Sequence, residues 1–213
     1  MNTVSMLIKP ASGRCNLRCR YCFYEDVSEH RQDHDLGLMD EDTAALMIRQ
    51  AMEEAESRVS FAFQGGEPMV RGLPFFQRFV ELERQYLRPG LTVEHSIQTN
   101  GTLIDEEFAD DMLRVKNFIP AISVEGFEEE TDFRRGKGTY QAVTRAMEIL
   151  KSRRLAFGAS CCYTSKNVDV IGSEEYFDDL IAKGALFAWF FTYMPVGAGA
   201  PTDLMATAEQ REF

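Results

Sequence analysis

Short apolar runs alternate along the chain with longer stretches in which apolar residues recur every three or four positions. The runs Val4–Ile8, Val59–Phe63, Leu91–Gln98, Phe118–Val124, Leu155–Tyr163 and Leu186–Tyr193 read as strands. Between them, Asp40 is placed to cap a helix whose apolar face holds Met47, Ile48, Ala51, Met52 and Ala55. Pro74 suits the first turn of a second helix, with Phe76, Phe79 and Val80 on its buried side. Asp105 opens a third. Tyr140, Val143, Ala146, Met147 and Leu150 line a fourth, and Ser173 caps a fifth that carries Tyr176, Phe177, Leu180 and Ile181.

Strand–helix units repeated six times predict an α/β fold with a parallel sheet and helices outside it. Closed or nearly closed, such a sheet is a (β/α)6 barrel related to the triosephosphate-isomerase kind. Its chemistry is expected at the C-terminal ends of the strands. Near the end of the chain, Thr207 and Gln210 form a T-x-x-Q capping box three residues before Phe213. The expectation is one domain spanning residues 1–213, truncated at the start of its last helix, with a C-terminal domain beyond it.

Composition narrows the function classes. The 213 residues are 45% hydrophobic, enough for one substantial core. Net charge is −11, from 34 acidic against 23 basic residues, which argues against nucleic-acid or anionic-membrane partners. The N-terminal MNTVSMLIKP lacks a basic segment followed by a long apolar run, so no signal peptide is read and a cytoplasmic location is expected. Thiols stay reduced there, and the five cysteines are expected to be ligands or core residues rather than bridges.

Cys15, Cys19 and Cys22 form a C-x3-C-x2-C motif directly after the first predicted strand. A structural zinc site is one reading, with His30 or His34 as fourth ligand. A [4Fe–4S] cluster held by three thiolates, with one iron left open for a ligand, is the other.

With Tyr21 just before the last cysteine, CNLRCRYCFY resembles the radical S-adenosylmethionine (SAM) enzymes, and within them the anaerobic sulfatase-maturating and related peptide-modifying branch. FQGGEP (Phe63–Pro68), QTNG (Gln98–Gly101), SVEG (Ser123–Gly126) and DFRRGKGTY (Asp132–Tyr140) follow in the order of that family, each of the first three after a predicted strand. Glu125 stands where the sulfatase-maturase pattern commonly has Asp.

The resemblance implies a partial (β/α)6 barrel in which the open iron chelates SAM and reductive cleavage yields a 5′-deoxyadenosyl radical that abstracts a substrate hydrogen. It implies Cys15, Cys19 and Cys22 as cluster ligands, and Tyr21, Gln64, Gly65, Gly66, Glu67, Ser123 and Arg135 as SAM-site residues, with Arg134 next to the last. It further implies a peptide or protein substrate and reduced ferredoxin or flavodoxin as electron donor. Radical chemistry on a small molecule is the alternative among enzymes, and a zinc-stabilised binding module the alternative outside them.

Other residues read more simply. Arg14, Arg18 and Arg20 crowd the cysteine loop, either as solvated charge or as an offset to a negative cluster. Cys161 and Cys162 are neighbours on a strand and should face opposite ways. His95 is expected in the core or at its rim. The YMPVGAG loop (Tyr193–Gly199) would border the adenine of SAM.

Overall fold

A computed structural model describes residues 2–22, 24, 30, 32, 35–114, 118–196 and 199–212. Six strands, β1 (Thr3–Ile8), β2 (Arg58–Phe63), β3 (Thr92–Thr99), β4 (Phe118–Ser123), β5 (Gly158–Tyr163) and β6 (Ala188–Thr192), pair in sequence order. Every pairing is parallel. Among the described residues β1 and β6 each have one neighbour, so the sheet is an open half-barrel.

The crossovers carry α1 (Glu41–Glu54), α2 (Leu73–Arg84), α3 (Glu106–Arg114), α4 (Glu128–Arg135), α5 (Thr139–Ser152), α6 (Val168–Ile171) and α7 (Glu174–Lys183), and α8 (Ala208–Glu212) follows β6. The predicted caps form. Asp40 Oδ1 accepts from Thr43 N at 2.7 Å, Asp105 Oδ1 from Phe108 N at 2.8 Å, and Ser173 Oγ from Tyr176 N at 3.2 Å. At α8, Thr207 Oγ1 accepts from Gln210 N at 3.2 Å while Gln210 Oε1 accepts from Thr207 N at 3.0 Å.

Alternation along the strands sorts residues between two faces. Val59, Phe61, Phe63, Ile97 and Ile122 point to the helix layer and are buried. Register places Phe61, His95 and Phe118 side by side on three strands. Phe79 of α2 meets Phe61 edge-on at 5.2 Å and Phe63 at 5.1 Å. His95 stacks against Phe118 at 5.6 Å and its Nε2 bonds the Glu83 carboxylate at 2.7 Å, so it is a core residue. Leu7, Trp189 and Phe191 lie on the concave face or its edge strands and stay exposed.

Three features differ from the sequence reading. Strands β5 and β6 start later than the apolar runs. Leu155 N instead closes the end of α5 on Leu150 O at 3.0 Å, and Leu186 N bonds Phe157 O at 2.9 Å. Helix α4, sequence EEETDFRR, has no apolar period to betray it; Thr131 is its buried residue. It is held by acids in its first turn and arginines in its last, complementing the helix dipole. On α7, Tyr176 and Leu180 are buried, but Phe177 and Ile181 are 42% and 68% exposed. Those two lie toward the β6 edge, where Phe177 meets Phe190 at 5.6 Å and no further strand covers them among the described residues.

Among the described residues no helix is long and apolar enough to cross a membrane. Phe61, fully buried between α2 and its sheet neighbours, anchors this layer. Phe61→Ala should cost about 3–5 kcal/mol in urea unfolding, by lost transfer energy and the cavity left behind.

Candidate active site

The cysteine loop leaves β1 through two tight turns, Ser12 N to Lys9 O at 3.2 Å and Arg14 N to Ala11 O at 3.0 Å. It then runs across the C-terminal ends of β1–β3. Its far end is pinned where Arg20 N bonds Arg134 O at 2.9 Å. Cys15 is exposed; Cys19 and Cys22 are half-buried; all three are free thiols. Burial raises the Cys15 and Cys19 thiols above their ordinary range, and the charge of Cys22 adds to both. The guanidiniums of Arg135 and Arg134 pull Cys19 back down.

The turn after β2 locks this loop in place. Gln64 is half-buried, and its N–H bonds Ile8 O at 2.8 Å. Gly66 N bonds Ser12 O at 3.2 Å and Glu67 N bonds Arg14 O at 2.8 Å. A Cβ on Gly66 would sit 2.2 Å from the Arg14 carbonyl oxygen, and one on Gly65, at φ +125°, would sit 2.9 Å from that of Ser12. The glycine requirement therefore arises from protein against protein, at the residue preceding Cys15, and not from ligand approach alone.

Glu67 is fully buried. Its Oε1 accepts from Met69 N at 2.9 Å and Thr99 Oγ1 at 2.8 Å, and its Oε2 from Asn100 N at 2.7 Å. Burial pushes this carboxyl up, and the three donors oppose that. The carboxylate is thus engaged in joining the ends of β2 and β3.

The ends of β4 and α4 supply charge. Ser123 closes β4 and is buried. Glu125, also fully buried, accepts from Arg134 Nη1 at 2.7 Å, from Arg135 Nη2 at 2.6 Å and from Arg135 Nε. Burial would raise the Glu125 carboxyl, but the charges of Arg135 and Arg134 together outweigh it and hold it below its ordinary value. Two guanidiniums on one carboxylate leave one positive charge in surplus.

A cavity of about 540 Å³ opens beside this pair, lined by Cys19, Tyr21, Cys22, Arg134, Cys162 and Tyr193 among others. Arg134 lies over the Tyr21 ring at 4.6 Å, and Tyr193 meets Tyr21 edge-on at 5.3 Å. Burial lifts the Tyr21 hydroxyl to about 12. Among the described residues Arg134 Nε, buried on the cavity wall, has no hydrogen-bonded nitrogen or oxygen partner. Arg134 faces the cavity, while Arg135 sits behind it on Glu125. Met194, Val196 and Gly199 of the loop after β6 form another wall; Gly197 and Ala198 lie outside the described residues.

Cys161 and Cys162 do face apart. Cys161 is buried against the Tyr176 hydroxyl at 3.0 Å on the helix side, its thiol pushed to about 12, and Cys162 opens on the cavity. His30 is exposed and His34 lies outside the described residues. Among the described residues no three His, Cys, Asp or Glu side chains converge as ligands of one metal ion.

A family model described as the radical SAM superfamily matches residues 10–165. The chain belongs to the radical SAM superfamily. That family's enzymes use a [4Fe–4S] cluster and SAM, and the three thiols, the surplus guanidinium charge and the buried Arg134 Nε fit both groups.

The chain is 41% identical over 169 residues to a cysteine-type anaerobic sulfatase-maturating enzyme of Clostridium perfringens (strain 13 / Type A), covering 78% of this chain and 45% of that protein. It is 32% identical to a serine-type anaerobic sulfatase-maturating enzyme of Klebsiella aerogenes, covering 96% of this chain and 50% of that one. The solved structure of native anSMEcpe with bound AdoMet and Cp18Cys peptide superposes with a TM-score of 0.85 at 33% identity, covering 98% of this chain and 56% of that one. The chain spans about half the length of the relatives it matches. The partial (β/α)6 barrel that the resemblance implies, here an open half-barrel, is the fold of this superfamily.

In the sequence Glu125 stands out only as a departure from pattern, and Asn100 and Cys162 only as parts of a motif and a strand. Two consequences are measurable. Gly66→Ala should displace the Arg14–Cys15 backbone and lower anaerobically bound iron, with far-ultraviolet circular dichroism unchanged. Glu125→Gln should cost about 3–5 kcal/mol near pH 7, because it leaves buried guanidiniums without their anion. The Glu125 contribution is fully present above the ordinary carboxylate value and is lost as pH falls through the depressed folded value. The gap between wild type and variant in urea unfolding should therefore close toward acid.

Proposed function

We propose that this chain is the cluster- and SAM-binding part of a radical enzyme that oxidises a peptide or protein side chain, in the manner of the sulfatase-maturating enzymes. The observation that carries the reading is the cysteine loop locked onto the GGEP turn beside a cavity walled by Cys19, Cys22 and Arg134. Higher identity to the cysteine-type than to the serine-type relatives favours a cysteine as the residue modified.

When bound, the cluster and SAM supply a one-electron reductive cleavage whose organic radical removes a hydrogen atom from the substrate. The chain's own residues prepare for this. Cys15, Cys19 and Cys22 would hold three irons and leave the fourth open. Gln64, Gly65, Gly66 and Ser123, at or just after the ends of β2 and β4, would face SAM. Arg134, with Arg135 locked on Glu125 behind it, would offset the SAM carboxylate. Tyr21 shields the cavity from water by packing under Arg134 and against Tyr193. Glu67 acts on SAM through the turn it rigidifies. Reduced ferredoxin or flavodoxin would deliver the electron, in the cytoplasm.

Anaerobic reconstitution tests the reading. About four irons per chain are expected. That content should collapse in Cys15→Ala, Cys19→Ala and Cys22→Ala and persist in Cys161→Ala. Reduced with dithionite, the protein should convert SAM to 5′-deoxyadenosine, more so with a cysteine-containing sulfatase peptide than with its serine counterpart. One zinc per chain, no iron and no SAM cleavage would mean a zinc-stabilised module instead. Equal yields with both peptides would remove the cysteine preference.

A further inference from the structure

A closed hydrogen-bond ring lies beside Cys15. Asn100 is 5% exposed, at the end of β3. Its Oδ1 accepts from Thr102 N at 3.0 Å and from Thr102 Oγ1 at 2.7 Å. A backbone N–H can only donate, so the oxygen of the Asn100 amide must face Thr102 and its NH2 must face the other way. There, Nδ2 donates to Asn16 Oδ1 at 2.8 Å and to Cys15 Sγ at 3.8 Å. Asn16 Nδ2 in turn donates to Thr102 Oγ1 at 2.9 Å, which completes the ring. Leu17 N gives Cys15 Sγ a second donor at 3.3 Å. The Asn100 backbone is itself held on Glu67 Oε2. Two N–H donors therefore converge on one of the three motif sulfurs, and the side-chain donor has its orientation fixed.

We propose that Asn100 is a positioning residue that sets the reduction potential of the cluster through its hydrogen bond to the Cys15 sulfur. The proposal rests on the reading of Cys15 as a cluster ligand. Reduction adds one electron, from [4Fe–4S]2+ to [4Fe–4S]+, supplied by a one-electron carrier protein in the cell and by dithionite in a titration. No bond to Cys15 is broken and no proton is required. The added negative charge is shared by the ligand sulfurs. An N–H aimed at Cys15 stabilises it, so the reduced state is favoured and the potential is raised. Asn16 and Thr102 keep the amide turned the right way.

The test is an anaerobic redox titration of reconstituted protein, followed by the electron paramagnetic resonance signal of the reduced cluster, with iron counted in each sample. Asn100→Ser removes the donor without adding charge, and Asn100→Asp replaces it with a carboxylate of the same shape. Both should keep about four irons and titrate at more negative potential than wild type, the Asp variant further. Thr102→Val retains Asn100 but loses the hydroxyl that orients it, and should shift less in the same direction. A shift in Asn100→Asp alone would overturn the proposal, because charge would then explain it. So would loss of iron from both Asn100 variants together with a wild-type potential in Thr102→Val, which would make the ring loop scaffolding only. If Cys15→Ala keeps all its iron, the cluster assignment fails separately from this proposal.

Discussion

The Glu67 carboxylate is the constraint on which the site depends. A buried carboxylate with unfilled acceptor positions would be costly, and this one is filled by donors from two different segments. Met69 N comes from the turn after β2, and Thr99 Oγ1 and Asn100 N from the end of β3. The Glu67 N–H meanwhile holds Arg14 O, the carbonyl just before Cys15. One side chain and its own amide thus tie the ends of β2 and β3 to the cysteine loop. Gly65 and Gly66 matter because this union leaves no room for a Cβ between the two backbones.

Charge on the opposite wall follows the same logic of over-determination. Glu125 lies fully buried because two arginines neutralise it, and the arginines lie buried because Glu125 is there. The surplus positive charge sits beside the half-buried Cys19, whose thiol it pulls down against the effect of burial, and on the wall of the cavity. The chain as a whole carries −11, so the cationic character of this wall is local and built from α4. Arg20 N on Arg134 O carries that helix's position to the far end of the cysteine loop.

Much of this was legible in the residues. Six apolar runs with amphipathic stretches between them suffice for the order and direction of the sheet, because a parallel strand needs a helical crossover and each run here has one. Cys15, Cys19 and Cys22 stand out in the sequence because their spacing and residue type point together to one chemistry. What could not be read depends on direction in space. Helix α4 buries almost nothing apolar and so leaves no periodic trace. Gly66 reads in the sequence only as a place of close ligand approach, and its packing against the Arg14 carbonyl leaves no trace there. Arg134 and Arg135 are adjacent in sequence, and the helix that separates their roles was itself invisible. Phe177 and Ile181 have the spacing of a buried face, but coverage depends on what stands beyond β6.

The central claim is that the Glu67 carboxylate seats the cysteine loop. Glu67→Gln isolates it, because an amide NH2 must then confront a position now occupied by donors. Anaerobic iron loading of this variant is the direct measurement, alongside circular dichroism to establish that the half-barrel is intact. The account predicts a folded protein that retains well under the roughly four irons of a filled cubane. A folded Glu67→Gln protein with full iron content and the wild-type cluster spectrum would contradict it.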